Sequence, residues 1–149
     1  MRMITFDWIT FWRKDHPFNP RSWTPEALRN FVKHLGMFVI IGHLVPQIIM
    51  AESSGNPLAI GGLMQIQKST WERHTKEPWS KAFDPALNVK VGKRALQAIA
   101  NRYGKRATVA RICYSYNVGR YCFGPLPSWT KRHPNKIYRS IFNANKRRA

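Results

Sequence analysis

The prolines, glycines and capping residues of this chain stand where helices begin and end, and that punctuation leaves little room for a sheet. Thr24-Pro25-Glu26 supplies a capping hydroxyl, a proline for the first turn and an acid for the positive end of a helix. Leu28, Phe31, Val32 and Leu35 then follow at helical spacing. A second start falls at Val45-Pro46, where Gln47-Ile48-Ile49-Met50-Ala51 leads directly to Glu52. Ser53-Ser54-Gly55-Asn56-Pro57 ends that helix, with glycine near the C-cap and proline beyond it. Asp84-Pro85 opens a third, striped by Val91, Ala95, Ala98 and Ile99 and closed by Gly104 after Tyr103. A fourth runs from about Ala107 to Val118, with Val109, Ile112, Cys113 and Tyr116 facing one way. A last one starts near Pro134 and carries Ile137, Tyr138, Ile141 and Phe142. No alternating run longer than four residues competes with these, so the expected class is mainly α.

A chain of 149 residues suits one compact domain with a real core. Residues 1–23 are expected to be an aromatic-rich extension (Phe6, Trp8, Phe11, Trp12, Phe18, Trp23), and residues 24–149 the domain itself. The most apolar window, Leu35 to Met50, contains Gly36, Gly42, His43, Pro46 and Gln47. It reads as too short and too broken for a membrane span, so a soluble protein is expected. Asp7 interrupts the first apolar stretch and no small-residue cleavage site follows, so no secretory leader is expected either. Cys113 and Cys122 form no CxxC or Cys/His cluster, and two thiols fit better than a disulfide; no metal or cofactor is expected.

The formal charge is +18, and it is unevenly placed. Residues 1–84 hold all seven acids and ten bases, whereas residues 85–149 hold fifteen bases and no acid. Such a field attracts polyanions: nucleic acid, anionic lipid or an anionic bacterial envelope.

Glu52 is the residue that asks for an explanation. It sits at the C-terminal end of an apolar helix, where the macrodipole opposes a negative charge, and Ile48, Ile49 and Met50 oppose it further by desolvation. Both effects favour the neutral acid, a form suited to donating a proton. On the residues alone, an exposed acid at a helix end fits equally well.

Glu52-Ser53 before Gly55-Asn56-Pro57, followed by Gly62-Leu63-Met64-Gln65-Ile66, resembles the first two motifs of the soluble lytic transglycosylase and goose-type lysozyme superfamily. The order continues with Phe83-Asp84-Pro85, Asn88 and Gly92, then Tyr116-Asn117-Val118-Gly119, which is similar to that family's Tyr-Asn-x-Gly motif. Tyr138, four residues after Pro134, is a weaker match to the tyrosine of the family's final helix. The resemblance covers roughly residues 40–142 and implies a lysozyme-like, mainly helical domain with a saccharide-binding cleft.

It also implies roles. Glu52 would be the single catalytic acid/base. Ser53 would orient the glutamate or the sugar, while Met64 and Gln65 would line the cleft and hold an N-acetyl sugar. Tyr116 would hydrogen-bond and position Glu52, Asn117 would contact the glycan, and Tyr138 would join the substrate-binding set. The implied reaction is cleavage of peptidoglycan with formation of a 1,6-anhydro sugar, with glycan strands and the anionic envelope as partners. A bacteriophage setting, in the virion or in lysis, would supply a route to the wall, and virion or secretion-machinery proteins would be further partners.

The twelve residues from Glu52 to Met64 are fewer than the family uses, so the hairpin that walls the cleft is expected to be trimmed. Other residues read two ways: Trp71 and Trp79 suit sugar stacking or core packing, and the five histidines show no partner pattern. Two rival functions stand beside the first. One is a hydrolysing muramidase of the same fold, and the other is a non-enzymatic basic protein that binds nucleic acid or a virion component.

Overall fold

The computed structural model describes residues 24–144, and the aromatic extension at 1–23 lies outside the described residues. The chain divides into two compact units, residues 1–36 and 37–149. Among the described residues there is no strand, in line with the mainly α expectation. Five helices follow one another among the described residues: α1 (Pro25–Ser53), α2 (Lys68–His74), α3 (Pro85–Tyr103), α4 (Val109–Val118) and α5 (Lys136–Ala144). Short 3-10 turns stand at Trp79–Phe83, Gly104–Arg106 and Ser128–Arg132.

The caps read from sequence at Thr24 and Asp84 are made. Thr24 Oγ1 accepts from the Ala27 N–H at 3.1 Å, and Asp84 accepts from Leu87 at 2.8 Å to start α3. Thr108 accepts from Arg111 at 3.2 Å to start α4, and Gly119, left-handed at φ 75°, ends it. Ser54 and Gly55, both at positive φ, turn the chain out of α1.

Two expectations fail at α1. The predicted break at Pro46 is absent, and a single helix of 29 residues runs through Gly36, Gly42 and Pro46. Proline removes only the bond to the carbonyl four residues back, and that carbonyl belongs to the exposed Gly42, where water can satisfy it. Burial of Ile41, Leu44, Val45 and Ile48 on the same helix offsets what remains of the cost. The expectation that this region is too short and too broken to span a membrane fails with it. By length and composition alone α1 could cross one, although those four residues are buried in the protein core.

The core of residues 37–149 gathers around α3, which packs against α2, α4 and the turn at 79–83. Val91 and Leu96 of α3 are buried with Ile112 and Cys113 of α4 and Tyr138, Ile141 and Phe142 of α5. Helix α2, which the sequence pattern had not marked, exists to deliver Trp71. That ring is fully buried, its Nε1 donates to the Glu77 carbonyl at 2.8 Å, and Trp79 meets it edge to face. Trp71 is therefore a core residue, and Trp79 packs half-buried against that core.

Candidate active site

Helix α1 ends at Glu52 and Ser53, and α4 ends at Tyr116 and Asn117; the two ends meet at a cleft of about 430 Å³. Its lining includes Glu52, Gln65, Gln67, Thr70, Arg73, His74, Ser115, Tyr116, Asn117, Arg120 and Tyr121, a polar wall over an apolar floor of Ile66, Ala95, Ala98 and Ile99. Its size is that of a small-ligand pocket. Ala98, expected in the buried stripe of α3, is exposed here instead.

Among the described residues Glu52 is the single carboxylate of that lining. Glu72 and Glu77, the other acids within reach by sequence, face solvent and pair with Lys68 at 3.9 Å and Lys81 at 2.9 Å. The Glu52 side chain is held from beneath by Tyr138 of α5, whose hydroxyl donates to Oε1. Burial raises the Tyr138 phenol well above its ordinary range, and the Glu52 charge and the hydrogen bond add to the shift. Tyr138 therefore stays a donor. With Oε1 committed as an acceptor, a proton on the neutral acid belongs on the other oxygen.

That arrangement corrects one expected role. Tyr116 does not hydrogen-bond Glu52; its hydroxyl donates to the Met64 carbonyl at 2.7 Å. Burial, then the Glu52 charge, raises its pKa as well, so it too stays a donor. Tyr116 positions the loop opposite Glu52, and Tyr138 positions the acid.

The loop between α1 and α2 is built on Asn88, which lies fully buried on α3. Its Oδ1 accepts from the Met64 N–H at 2.9 Å, and its Nδ2 donates to the carbonyls of Gly61 and Ala82, both at 2.8 Å. Gly62 is required by this clamp: it sits at φ 73°, and a Cβ there would lie 2.3 Å from Asn88 Nδ2 and 2.2 Å from the Ala82 carbonyl. No strand or hairpin forms over residues 54–67, so the shortened connection is a chain of turns.

Ser53 and Met64 also take other places than expected. Ser53 Oγ donates to the carbonyls of Leu63 at 2.7 Å and Ile49 at 3.1 Å, which ties the loop to the end of α1. Met64 is fully buried, away from the cleft, and fills the space that Gly92 leaves open: a Cβ on Gly92 would lie 2.2 Å from its Sδ. An unbranched side chain suits such a gap. Gln65 does line the cleft, exposed and at a positive φ of 46°.

Asn117 reaches the cleft too, and His133 holds it. The Asn135 N–H donates to His133 Nδ1 at 3.1 Å, so the ring carries its proton on Nε2 and offers it to Asn117 Oδ1 at 3.3 Å. His133 is buried against Trp129, Tyr138 and Phe142. Asn135 also caps α5 through Ile137 and donates to the Ala51 carbonyl at 2.9 Å, beside Glu52. Sequence reasoning gave His133 no role and passed over Asn135. The Asn135 cap was readable as an acceptor before an apolar stripe, but the reach back to Ala51 was not. His74, likewise given no role, lines the cleft with its pKa lowered, first by burial and then by the charges of Arg73 and Arg94.

Among the described residues no group of three or more histidines, cysteines or acids could hold a metal ion. Cys113 is a buried free thiol whose pKa burial pushes up to about 12, and Cys122 is free and half-buried. A family model described as the transglycosylase SLT domain matches residues 30–141. That span holds Glu52, Ser53, Met64, Gln65, Tyr116, Asn117 and Tyr138. No curated protein and no solved structure matches the chain.

Proposed function

Because the chain belongs to the transglycosylase SLT domain family, we propose that it is a peptidoglycan lytic transglycosylase with Glu52 as its single acid/base. The family places the chain among peptidoglycan-degrading proteins of the lytic transglycosylase type. The finer reading rests above all on one observation: a lone carboxylate, steadied by a tyrosine hydroxyl, stands on a polar cleft with no second acid in its lining. Two-carboxylate glycosidases keep their pair roughly 5–9.5 Å apart across the bond, and among the described residues this cleft offers no such partner.

One carboxyl group can run the whole cycle if the substrate supplies the nucleophile. Neutral Glu52 gives its proton to the glycosidic oxygen between N-acetylmuramic acid and N-acetylglucosamine as the C1–O bond breaks. The substrate's 2-acetamido oxygen covers the positive charge that develops at C1. Glu52, now a carboxylate, takes the proton of the muramyl C6 hydroxyl as that oxygen closes onto C1. The products are a 1,6-anhydromuramyl end and a free 4-hydroxyl, with no water consumed and the acid restored. Tyr138 keeps its hydrogen bond through both protonation states and fixes the carboxyl plane.

The fifteen bases beyond residue 84 would concentrate the protein at an anionic envelope, which goes with a role in phage wall penetration or lysis. The test is digestion of purified sacculi followed by mass spectrometry of the fragments. Anhydro ends, lighter than reducing ends by one water, are expected, and Glu52→Gln should abolish their release while unfolding at the parent's midpoint. Reducing ends would replace this reading with a hydrolysing muramidase. Undiminished cleavage by the Glu52→Gln variant would remove Glu52 from the chemistry.

A further inference from the structure

The cleft has a second edge that the proposed chemistry does not use. After Gly119 the chain leaves α4 and runs through Arg120-Tyr121-Cys122-Phe123-Gly124 with no regular secondary structure, and Arg120 and Tyr121 line the cleft. Despite its irregular backbone, this strap is fastened along its length. Arg111 Nη2 donates to the carbonyls of Phe123 at 3.3 Å and Gly124 at 3.2 Å, and the Cys122 N–H donates to the Tyr103 hydroxyl at 2.8 Å. Arg120 Nε donates to the Tyr114 hydroxyl at 3.3 Å.

The fastening fixes the orientation of two rings. Tyr121 meets the buried Tyr103 edge-on, with centroids 5.3 Å apart, and lies nearly parallel to Phe123 at 22°. Yet Tyr121 stays 44% exposed and Phe123 41%, so the pins hold apolar ring surface in water rather than burying it. A rigid, exposed aromatic ring on a ligand cleft loses little entropy on binding and matches a flat apolar partner. The C–H face of a pyranose ring is such a partner, and its hydroxyl oxygens would face the donors of the Arg120 guanidinium.

We infer that Tyr121, backed by Phe123 and flanked by Arg120, is a stacking platform for a sugar ring of the glycan strand away from the bond that is cut. This inference rests on the proposed function for its ligand class. Its action is binding, so it would set affinity for longer strands and leave the acid/base step alone.

The experiment uses the full chain in the Glu52→Gln background, so that ligand is bound but not consumed, with the N-acetylglucosamine hexamer and dimer as probes in calorimetry. Adding Tyr121→Ala should raise the hexamer Kd about threefold to tenfold. Tyr121→Phe and Tyr121→Trp should keep the parent's Kd within about twofold, because the ring and not the hydroxyl makes the contact. The dimer Kd should not change. An unchanged hexamer Kd in the Ala variant, or an equal loss in the Phe variant, would overturn the inference. Unfolding midpoints check that each variant is folded, and the Phe and Trp variants carry the test should the Ala variant not fold. If the wild-type chain cuts no glycan while Tyr121→Ala still weakens hexamer binding, the function reading fails and the platform stands.

Discussion

Asn88 makes three hydrogen bonds while fully buried, and removing them one kind at a time tests how the loop opposite Glu52 is built. In Asn88→Ala the Met64 N–H loses its partner, a buried orphan costing about 1–3 kcal/mol. The Gly61 carbonyl keeps the Ile66 N–H at 2.9 Å and loses only its second donor, and the Ala82 carbonyl loses the Nδ2 donor. With about 0.5–1.5 kcal/mol for each of these, the total comes to about 2–6 kcal/mol, a large part of a typical 5–15 kcal/mol stability. Asn88→Asp keeps the shape and the acceptor for Met64 but turns a donor into a buried charge facing two carbonyls. At pH 7 it should therefore be at least as unstable as the Ala variant. It should regain part of the loss as the pH falls and the acid protonates, because one donor then returns. Urea unfolding followed by tryptophan fluorescence measures both, since Trp71 is buried in the same core. An Asp variant within about 1 kcal/mol of the parent at pH 7 would refute the argument, because the donors would then not matter.

Other perturbations follow from the same geometry. Tyr138→Phe removes the hydroxyl that steadies Glu52 and should lower kcat about tenfold to a hundredfold, the equivalent of a hydrogen bond to a charged group, with little change in KM; unchanged kcat would show that the acid needs no such support. Gly92→Ala drives a Cβ into Met64 and should cost about 1–3 kcal/mol, and less in a Met64→Ala background, so a double-mutant cycle without coupling would count against the contact. Cys113, Tyr116 and Tyr138 all have pKa values raised in the fold, so the stability they contribute is present at neutral pH and drains as the unfolded chain ionises. The loss should begin above about pH 9 with the thiol and steepen above about 10 with the phenols, by about 1.4 kcal/mol per pH unit for each group; a flat unfolding free energy from pH 8 to 11 would contradict it. A thiol reagent should label Cys122 alone in the native protein and both cysteines after unfolding, and rapid native labelling of Cys113 would mean the core opens there.

What local chemistry controls was legible in the chain. Thr24 and Asp84 cap because a short acceptor before a helix finds its N–H three residues on, and Gly104, at a φ of 56°, closes α3. Glu52 stood out because an acid at the negative end of an apolar helix is locally disfavoured. What failed was decided by partners far along the chain. Pro46 reads as a break, yet four core side chains keep α1 continuous. The resemblance put Met64 in the cleft, but the space beside Gly92 took its side chain and left its carbonyl to the Tyr116 hydroxyl.

The sequence by itself determined the helical class, several of the helix ends and the acid that stands out at the end of α1, because caps, periodicity and charge act within a few residues. Only the tertiary structure decided who holds that acid. Tyr138 lies 86 residues from Glu52, Asn135 lies 84 from Ala51, and Tyr116 lies 52 from Met64. A hydroxyl at either tyrosine could serve the carboxyl as well as far as the chain shows. The start of α5 meets the end of α1 at Tyr138–Glu52 and Asn135–Ala51, and the Asn88 clamp presents Met64 to Tyr116, because hydrogen bonds follow distances in space that spacing along a chain does not encode.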